Sequence, residues 1–178
     1  PVDRRQRQMC IRDSLKAFHT FGIEQTCAYL AVVDSVEDVK QLFQDKAYQD
    51  LPKLFLGKGS NMLFTQHYEG IVIINRLMGK VVTETEQHYS LHVEGGEDWP
   101  GLVKWSVEQG IGGMENLALI PGCAGSAPIQ NIGAYGLELQ NICEYVDILD
   151  LSSFETKRMS AYECQFGYRD SIFKHSLH

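Results

Sequence analysis

The chain of 178 residues carries 23 acidic side chains against 16 Lys and Arg, a formal net charge of −7, with 44% hydrophobic and 22% charged residues. This is ordinary globular composition, enough for one core or two small subdomains, and its sign argues against nucleic acid as the main partner. No apolar run approaches the roughly 18 residues that span a bilayer as a helix, and no apolar signal core follows the early arginines, so the chain reads as cytoplasmic, with no membrane insertion. Five cysteines, Cys10, Cys27, Cys123, Cys143 and Cys164, lie far apart without Cys-x-x-Cys or histidine-interleaved spacing. They read as reduced thiols, and no metal site is expected.

Residues 1–13, which include Arg4-Arg5-Gln6-Arg7, read either as a basic arm for an anionic ligand or as a non-native leader. The leader is the expectation, and the segment is set aside from the fold. Cys27 to Val33 is an apolar strand. Ser35 then caps a helix, with Asp38 completing a capping-box pattern, and Val36, Val39, Phe43 and Ala47 fall on one helical face. Leu51 to Leu56 is the next strand and runs into Gly57-Lys58-Gly59-Ser60-Asn61. Strand, helix, strand and glycine loop make one small α/β unit, so residues 14–75 are expected to form a first subdomain and 76–178 a second.

Ile71–Ile74 and Tyr89–Glu94 cluster or alternate as strands, with Gly79 marking a break. Asp98 caps a helix bearing Trp99, Leu102, Val103 and Val107, stopped by Gly110. A second small-residue run, Pro121 to Gly136, follows. Cys143–Leu151 and Phe154–Met159 then read as a hairpin turning at Ser152-Ser153, and Ser160-Ala161-Tyr162-Glu163 as the cap of a last short helix.

The two glycine-rich loops carry the chemistry. Small residues let a backbone come close to a ligand with its N–H groups uncovered, which suits a large anionic, dinucleotide-like molecule. Neither loop fits the familiar nucleotide motifs. Met62 stands where a third Rossmann glycine belongs, and Lys58 lies between glycines rather than ahead of a Ser or Thr as in a P-loop. Two ordinary tight turns are the plain alternative.

Several ordered blocks are similar to the UDP-N-acetylenolpyruvoylglucosamine reductase family, flavoenzymes that make UDP-N-acetylmuramate for peptidoglycan. They are Ser14-Leu15-Lys16 with Thr20-Phe21-Gly22, Gly57-Lys58-Gly59-Ser60-Asn61, Ile73-Ile74-Asn75-Arg76, Glu115 to Gly122, Pro128 to Gly136, and Phe166-Gly167-Tyr168-Arg169-Asp170-Ser171-Ile172-Phe173-Lys174. The wording Leu117-Ala118-Leu119-Ile120-Pro121-Gly122 is that of the form common in Gram-negative bacteria. The resemblance implies an α+β, two-subdomain FAD-binding fold of the vanillyl-alcohol-oxidase/PCMH type. It also implies non-covalent FAD, NADPH as hydride donor and a UDP-sugar enolpyruvyl ether as substrate; the oligomeric state is left open by the sequence, with a monomer the expectation.

By this resemblance Gly57, Lys58, Gly59, Ser60 and Asn61 hold the FAD diphosphate, with Lys58 either favouring it or pointing into water. Pro121, Gly122, Gly125, Ser126, Ala127, Ile129, Asn131, Gly133, Ala134 and Gly136 lie along the flavin, Ala127 through its backbone N–H. Gly59 is expected at positive φ, with Val there costing flavin but not the fold. Cys123 invites a covalent-flavin reading, against which stands a small buried residue in a tight loop. Arg169 is the candidate catalytic residue, its guanidinium stabilising an enolate; an ion pair with Asp170 or another acid is the structural alternative. Tyr168, Ser171 and Lys174 join Arg169 as substrate-contact candidates. Most of the six histidines are expected at the surface; His19 stands where the family commonly has Asn before Thr20-Phe21-Gly22, so the entrance turn is expected to differ slightly. The resemblance places a proton-donating Ser and an assisting Glu after His178, so the chain is expected to be the FAD-binding portion of a three-domain enzyme, inactive alone; a stand-alone flavin-binding module is the alternative.

Overall fold

The structure, a computed structural model, describes residues 9–11 and 13–175; the basic stretch Pro1–Gln8 and Arg12 lie outside the described residues. The chain divides into two compact units, Pro1–Leu77 and Met78–His178. Among the described residues no helix is long and apolar enough to cross a membrane.

The first unit is a four-stranded sheet with a helix. Its elements are β1 (Met9–Ile11), β2 (Cys27–Val33), α1 (Val36–Gln44), β3 (Lys53–Leu56) and β4 (Tyr68–Asn75), in the sheet order β1-β2-β4-β3. β4 runs parallel to both neighbours, pairing Leu30 with Val72 and Leu54 with Val72 across its two edges. Its run Gly70 to Ile74 is wholly buried, as a central parallel strand covered on both faces requires. β1 adds antiparallel to β2, so the backbone of Met9–Ile11, which the sequence sets outside the fold, forms its edge.

The expected cap of α1 is present, with a variation. Ser35 Oγ accepts from Asp38 N at 3.1 Å, while the Asp38 carboxylate reaches back to Asp34 N, one residue earlier than a standard box. The buried face is Val39 and Leu42. Ala47 does not extend it, because the helix stops at Gln44 and Ala47 N turns to the Asp45 side chain. Leu15, Cys27, Leu30, Leu56, Phe64, Val72 and Ile74 form one core cluster.

The second unit is mainly antiparallel. It holds the hairpin β5 (Lys80–Glu84) and β6 (Tyr89–Val93), the helix α2 (Trp99–Glu108), the short hairpin β7 (Gly133–Ala134) and β8 (Leu137–Glu138), and the hairpin β9 (Tyr145–Asp150) and β10 (Glu155–Ser160). β5 has no counterpart in the sequence reading, since all five of its residues are exposed and present no buried alternation. Asp98 caps α2 by accepting from Gly101 N at 2.9 Å. Ser106, with its hydroxyl on Val103 O, takes the buried place expected of Val107, which is half exposed. Trp99, Leu102, Val103, Leu117, Ala127, Ile132 and Leu139 make the core.

One expected element is absent. Ser160 and Glu163 exchange the bonds of a capping box, Ser160 N to the Glu163 carboxylate at 2.8 Å and Glu163 N to Ser160 Oγ at 3.4 Å, yet residues 161–165 close as turns. Gln165 sits at φ 48°, which ends any helix after one turn.

Candidate functional site

The loop Gly57–Asn61 leaves the carboxyl end of β3, beside the parallel β4, the edge of an α/β sheet where ligands gather. Gly59 takes φ 60°, as expected. Its lack of a side chain serves packing first: a Cβ there would overlap Phe18 O and stand 2.6 Å from His19 Cα. A Val side chain here would have to displace backbone, which weighs against the expectation that Val spares the fold. Thr20 N donates to Gly59 O at 3.2 Å, tying the loop to the turn beneath it.

Among the described residues the N–H groups of Gly59, Ser60 and Asn61 donate to no backbone carbonyl, and the Ser60 and Asn61 side chains make no hydrogen bond. Ser60 is half-buried and Asn61 and Lys58 are exposed. A set of adjacent N–H groups plus a hydroxyl and an amide, at a strand's carboxyl end, is chemically suited to phosphate oxygens. His19 is buried under this loop with Nε2 on Ile23 O at 3.0 Å, its ring edge-on to Phe64 and, among the described residues, no partner for Nδ1.

The second loop works differently. Residues 124–126 form a 3-10 turn in which Ala124, Gly125, Ser126 and Ala127 donate their N–H groups to Glu97, Gly95, Cys123 and Ala124 carbonyls. Ala127, 2% exposed, thus spends inside the turn the N–H expected to meet cofactor. Ser126 Oγ donates to Cys123 O at 2.8 Å and accepts from Cys123 N at 3.1 Å. Cys123 is buried, in keeping with the small-residue reading. Gly125 has Gly95 backbone 3.0 Å from where a Cβ would stand, and Gly122 takes φ 138° with Ser126 Oγ close by. Pro121 is exposed, and Ile129 is 44% exposed.

Beyond Ile132 the chain folds into β7–β8. Tyr135 and Gly136 form its two-residue turn with φ of 50° and 80°, the positive pair that a tight hairpin requires. This hairpin and Arg169 line one cleft of about 410 Å³, with Gly133, Ala134, Gly136, Glu138 and Tyr168 in its wall. Arg169, at φ 53°, donates from Nη2 to Gly133 O at 2.7 Å. The alternative ion pair with Asp170 is not formed, since Asp170 binds His175 at 2.8 Å, which holds its carboxyl below the usual carboxylate range. An exposed guanidinium with one donor anchored and the rest at a cleft can receive a planar carboxylate or enolate.

The other candidates separate. Tyr168 is 85% exposed at the cleft. Lys174 Nζ donates to Arg169 O at 2.8 Å, steadying the backbone of that turn. Ser171 is 1% exposed with its hydroxyl on Ile129 O at 2.7 Å, and Asn131 is wholly buried, so both side chains face protein. Gln140, Asn141 and Glu138 line the cleft without having been singled out from sequence. The positive-φ turn at Tyr135-Gly136, which folds them back onto Gly133, was the available signal.

A family model described as FAD binding domain matches residues 27–153. The protein named UDP-N-acetylenolpyruvoylglucosamine reductase from Vibrio parahaemolyticus is 71% identical over 165 residues, covering 93% of this chain and 48% of its own length. That of Vibrio vulnificus is 61% identical over 165 residues with the same coverage. Among solved structures, UDP-N-acetylenolpyruvylglucosamine reductase from Thermus caldophilus superposes with TM-score 0.70 at 26% identity, over 92% of this chain and 57% of that one. An alkyldihydroxyacetonephosphate synthase shares the fold at TM-score 0.54 and 16% identity, over 88% of this chain and 29% of its own. The chain spans about half the length of the curated relatives it matches.

Proposed function

Because the chain belongs to the FAD binding domain family, we propose that it binds FAD non-covalently and is the cofactor-binding part of a UDP-N-acetylenolpyruvoylglucosamine reductase. Its fold, a small α/β unit followed by a mainly antiparallel α+β unit, is of the vanillyl-alcohol-oxidase/PCMH type. The observation that carries the functional reading is 71% identity over 165 residues to a protein of that name.

FAD, when bound, would supply the hydride chemistry that links NADPH to the enolpyruvyl double bond of the UDP-sugar. The N–H groups of Gly59, Ser60 and Asn61, with the Ser60 hydroxyl, would hold the diphosphate in place of water. The cleft lined by Gly133, Ala134, Gly136, Tyr168 and Arg169 would receive the flavin and the enolpyruvyl group. Arg169 holds its guanidinium against the carboxylate of the substrate and stabilises the negative charge that builds there as the double bond is reduced. The product, UDP-N-acetylmuramate, serves peptidoglycan synthesis in the cytoplasm. Since the chain matches about half of each relative, turnover is assigned to the longer protein and flavin retention to this part.

An absorbance scan of the purified chain, alone and after incubation with FAD and gel filtration, tests the reading. Flavin bands that co-elute with protein and move to the supernatant on acid precipitation are expected. A chain that stays colourless after loading overturns FAD binding, and colour retained in the pellet overturns the non-covalent assignment.

A further inference from the structure

Asn131 is the one polar residue of the second loop with no exposed surface, and its side chain is nearly used up. Nδ2 donates to Glu138 Oε2 at 3.0 Å and to Gly167 O at 2.9 Å, while Oδ1 accepts from Gln140 N at 3.0 Å. Both amide hydrogens are thereby spent, on two different segments of chain. One partner, Glu138, belongs to the hairpin that lines the cleft. The other, Gly167, opens the turn that carries Arg169.

That turn is closed on itself by Gly167 N to Asp170 O at 2.9 Å and Asp170 N to Gly167 O at 3.2 Å, so fixing the Gly167 carbonyl fixes the whole of it. Two more bonds flank the amide: Ser171 Oγ to Ile129 O, and Arg169 Nη2 to Gly133 O, each 2.7 Å. Alternate residues 129, 131 and 133 are therefore each tied to the segment 167–171. The central tie is the buried one. Arg169 itself sits at φ 53°, a left-handed conformation unfavourable for a side-chain-bearing residue, so surrounding contacts must hold it there.

We propose that Asn131 is a positioning residue: from a fully buried site it sets the Arg169 turn against the β7–β8 hairpin, and so aims the guanidinium at a planar carboxylate or enolate in the cleft. The proposal rests on the reading of Arg169 given above. Residue choice follows from the geometry. Asn131 takes φ 43°, which Asn tolerates better than most residues, and an uncharged amide donates twice, to a carboxylate and a carbonyl, while accepting from the Gln140 N–H. Asp would face the Glu138 carboxylate and the Gly167 carbonyl with acceptors alone. Glycine would keep the backbone and lose both ties.

The test is nitrogen-15 NMR of the arginine side chains in the 178-residue chain, with the Arg169 signal assigned by its loss in Arg169→Lys. In the wild type the Arg169 Nη2–H signal, donated to Gly133 O at 2.7 Å, should be resolved from free arginine and protected from exchange. In Asn131→Gly it should collapse to the free position and exchange at least tenfold faster. Backbone signals of Cys27–Val33 and Trp99–Glu108 should stay in place. Should Asn131→Gly fail to fold, Asn131→Asp, which keeps the side-chain shape but not the donors, is read in the same way. An Arg169 signal unmoved in the variant overturns the proposal. So does collapse of the whole second unit in both variants, which would make Asn131 a core residue only. FAD loading of the wild type, run in parallel, judges the functional reading separately, because the arginine signal needs no flavin.

Discussion

Gly59 and Gly22 allow the packing role of the first glycine loop to be separated from simple backbone strain. Both lie in the first unit, at φ of 60° and 61°, but a Cβ on Gly22 meets nothing within 4 Å, whereas one on Gly59 overlaps Phe18 O and stands 2.6 Å from His19 Cα. Alanine at either position carries the left-handed penalty, about 1–2 kcal/mol. At Gly59 it adds an overlap of roughly 1 Å with backbone that cannot rotate away, worth about 1–3 kcal/mol more. At about 2–4 °C per kcal/mol for a chain of this size, Gly59→Ala should melt roughly 2–12 °C below Gly22→Ala. Thermal unfolding followed by circular dichroism gives the comparison. Flavin loading should fall with it, since the shift that relieves the overlap breaks Thr20 N to Gly59 O and moves the loop donors. Equal midpoints for the two variants would refute the packing argument and return Gly59 to a purely ligand-side role.

Two further outcomes are expected. On the proposed reading, in a chimera that joins this chain to the remainder of the Vibrio parahaemolyticus relative, Arg169→Ala is expected to leave flavin reduction by NADPH nearly intact and to slow transfer to the enolpyruvyl substrate by about a hundred- to a thousandfold, the loss of roughly 3–4 kcal/mol of charge stabilisation; stopped-flow flavin absorbance resolves the two half-reactions, and equal slowing of both would make Arg169 structural. Cys164 is wholly buried and its thiol is pushed up to about 11, by burial first and then by Cys143 and Glu163. Because the folded value lies above the unfolded one of about 8.5, its contribution to stability is complete below that pH and is lost as pH rises toward 11. Native protein should accordingly leave Cys164 unalkylated by iodoacetamide at about pH 8, as peptide mass mapping would show, and Cys164→Ala should flatten the alkaline fall in stability.

Much of this protein was legible where the signal is local. The strand Cys27–Val33, the caps Ser35 and Asp98, the turn at Ser152-Ser153 and the positive φ of Gly59 follow from chemistry within a few residues of themselves, and the structure has each of them. The same locality explains the misses. Ser160 and Glu163 form the bonds of a cap without a helix behind them, and an apolar period continuing through Ala47 outlasts the helix it describes.

What only the tertiary structure decided is which surfaces are dry and which distant segments meet. β4 enters between β2 and β3 although it follows both in the chain, and Met9–Ile11 closes the sheet's edge, because ladder pairing depends on partners that sequence distance does not reveal. Asn131 and Ser171 belong to a motif read as cofactor and substrate contacts, yet the folded chain buries them and uses their side chains to bind its own backbone. A motif records that a polar residue is needed at a position. Whether its hydrogen bonds go to a ligand or to protein is settled by desolvation, which exists only once the segments around residues 131 and 167 have come together.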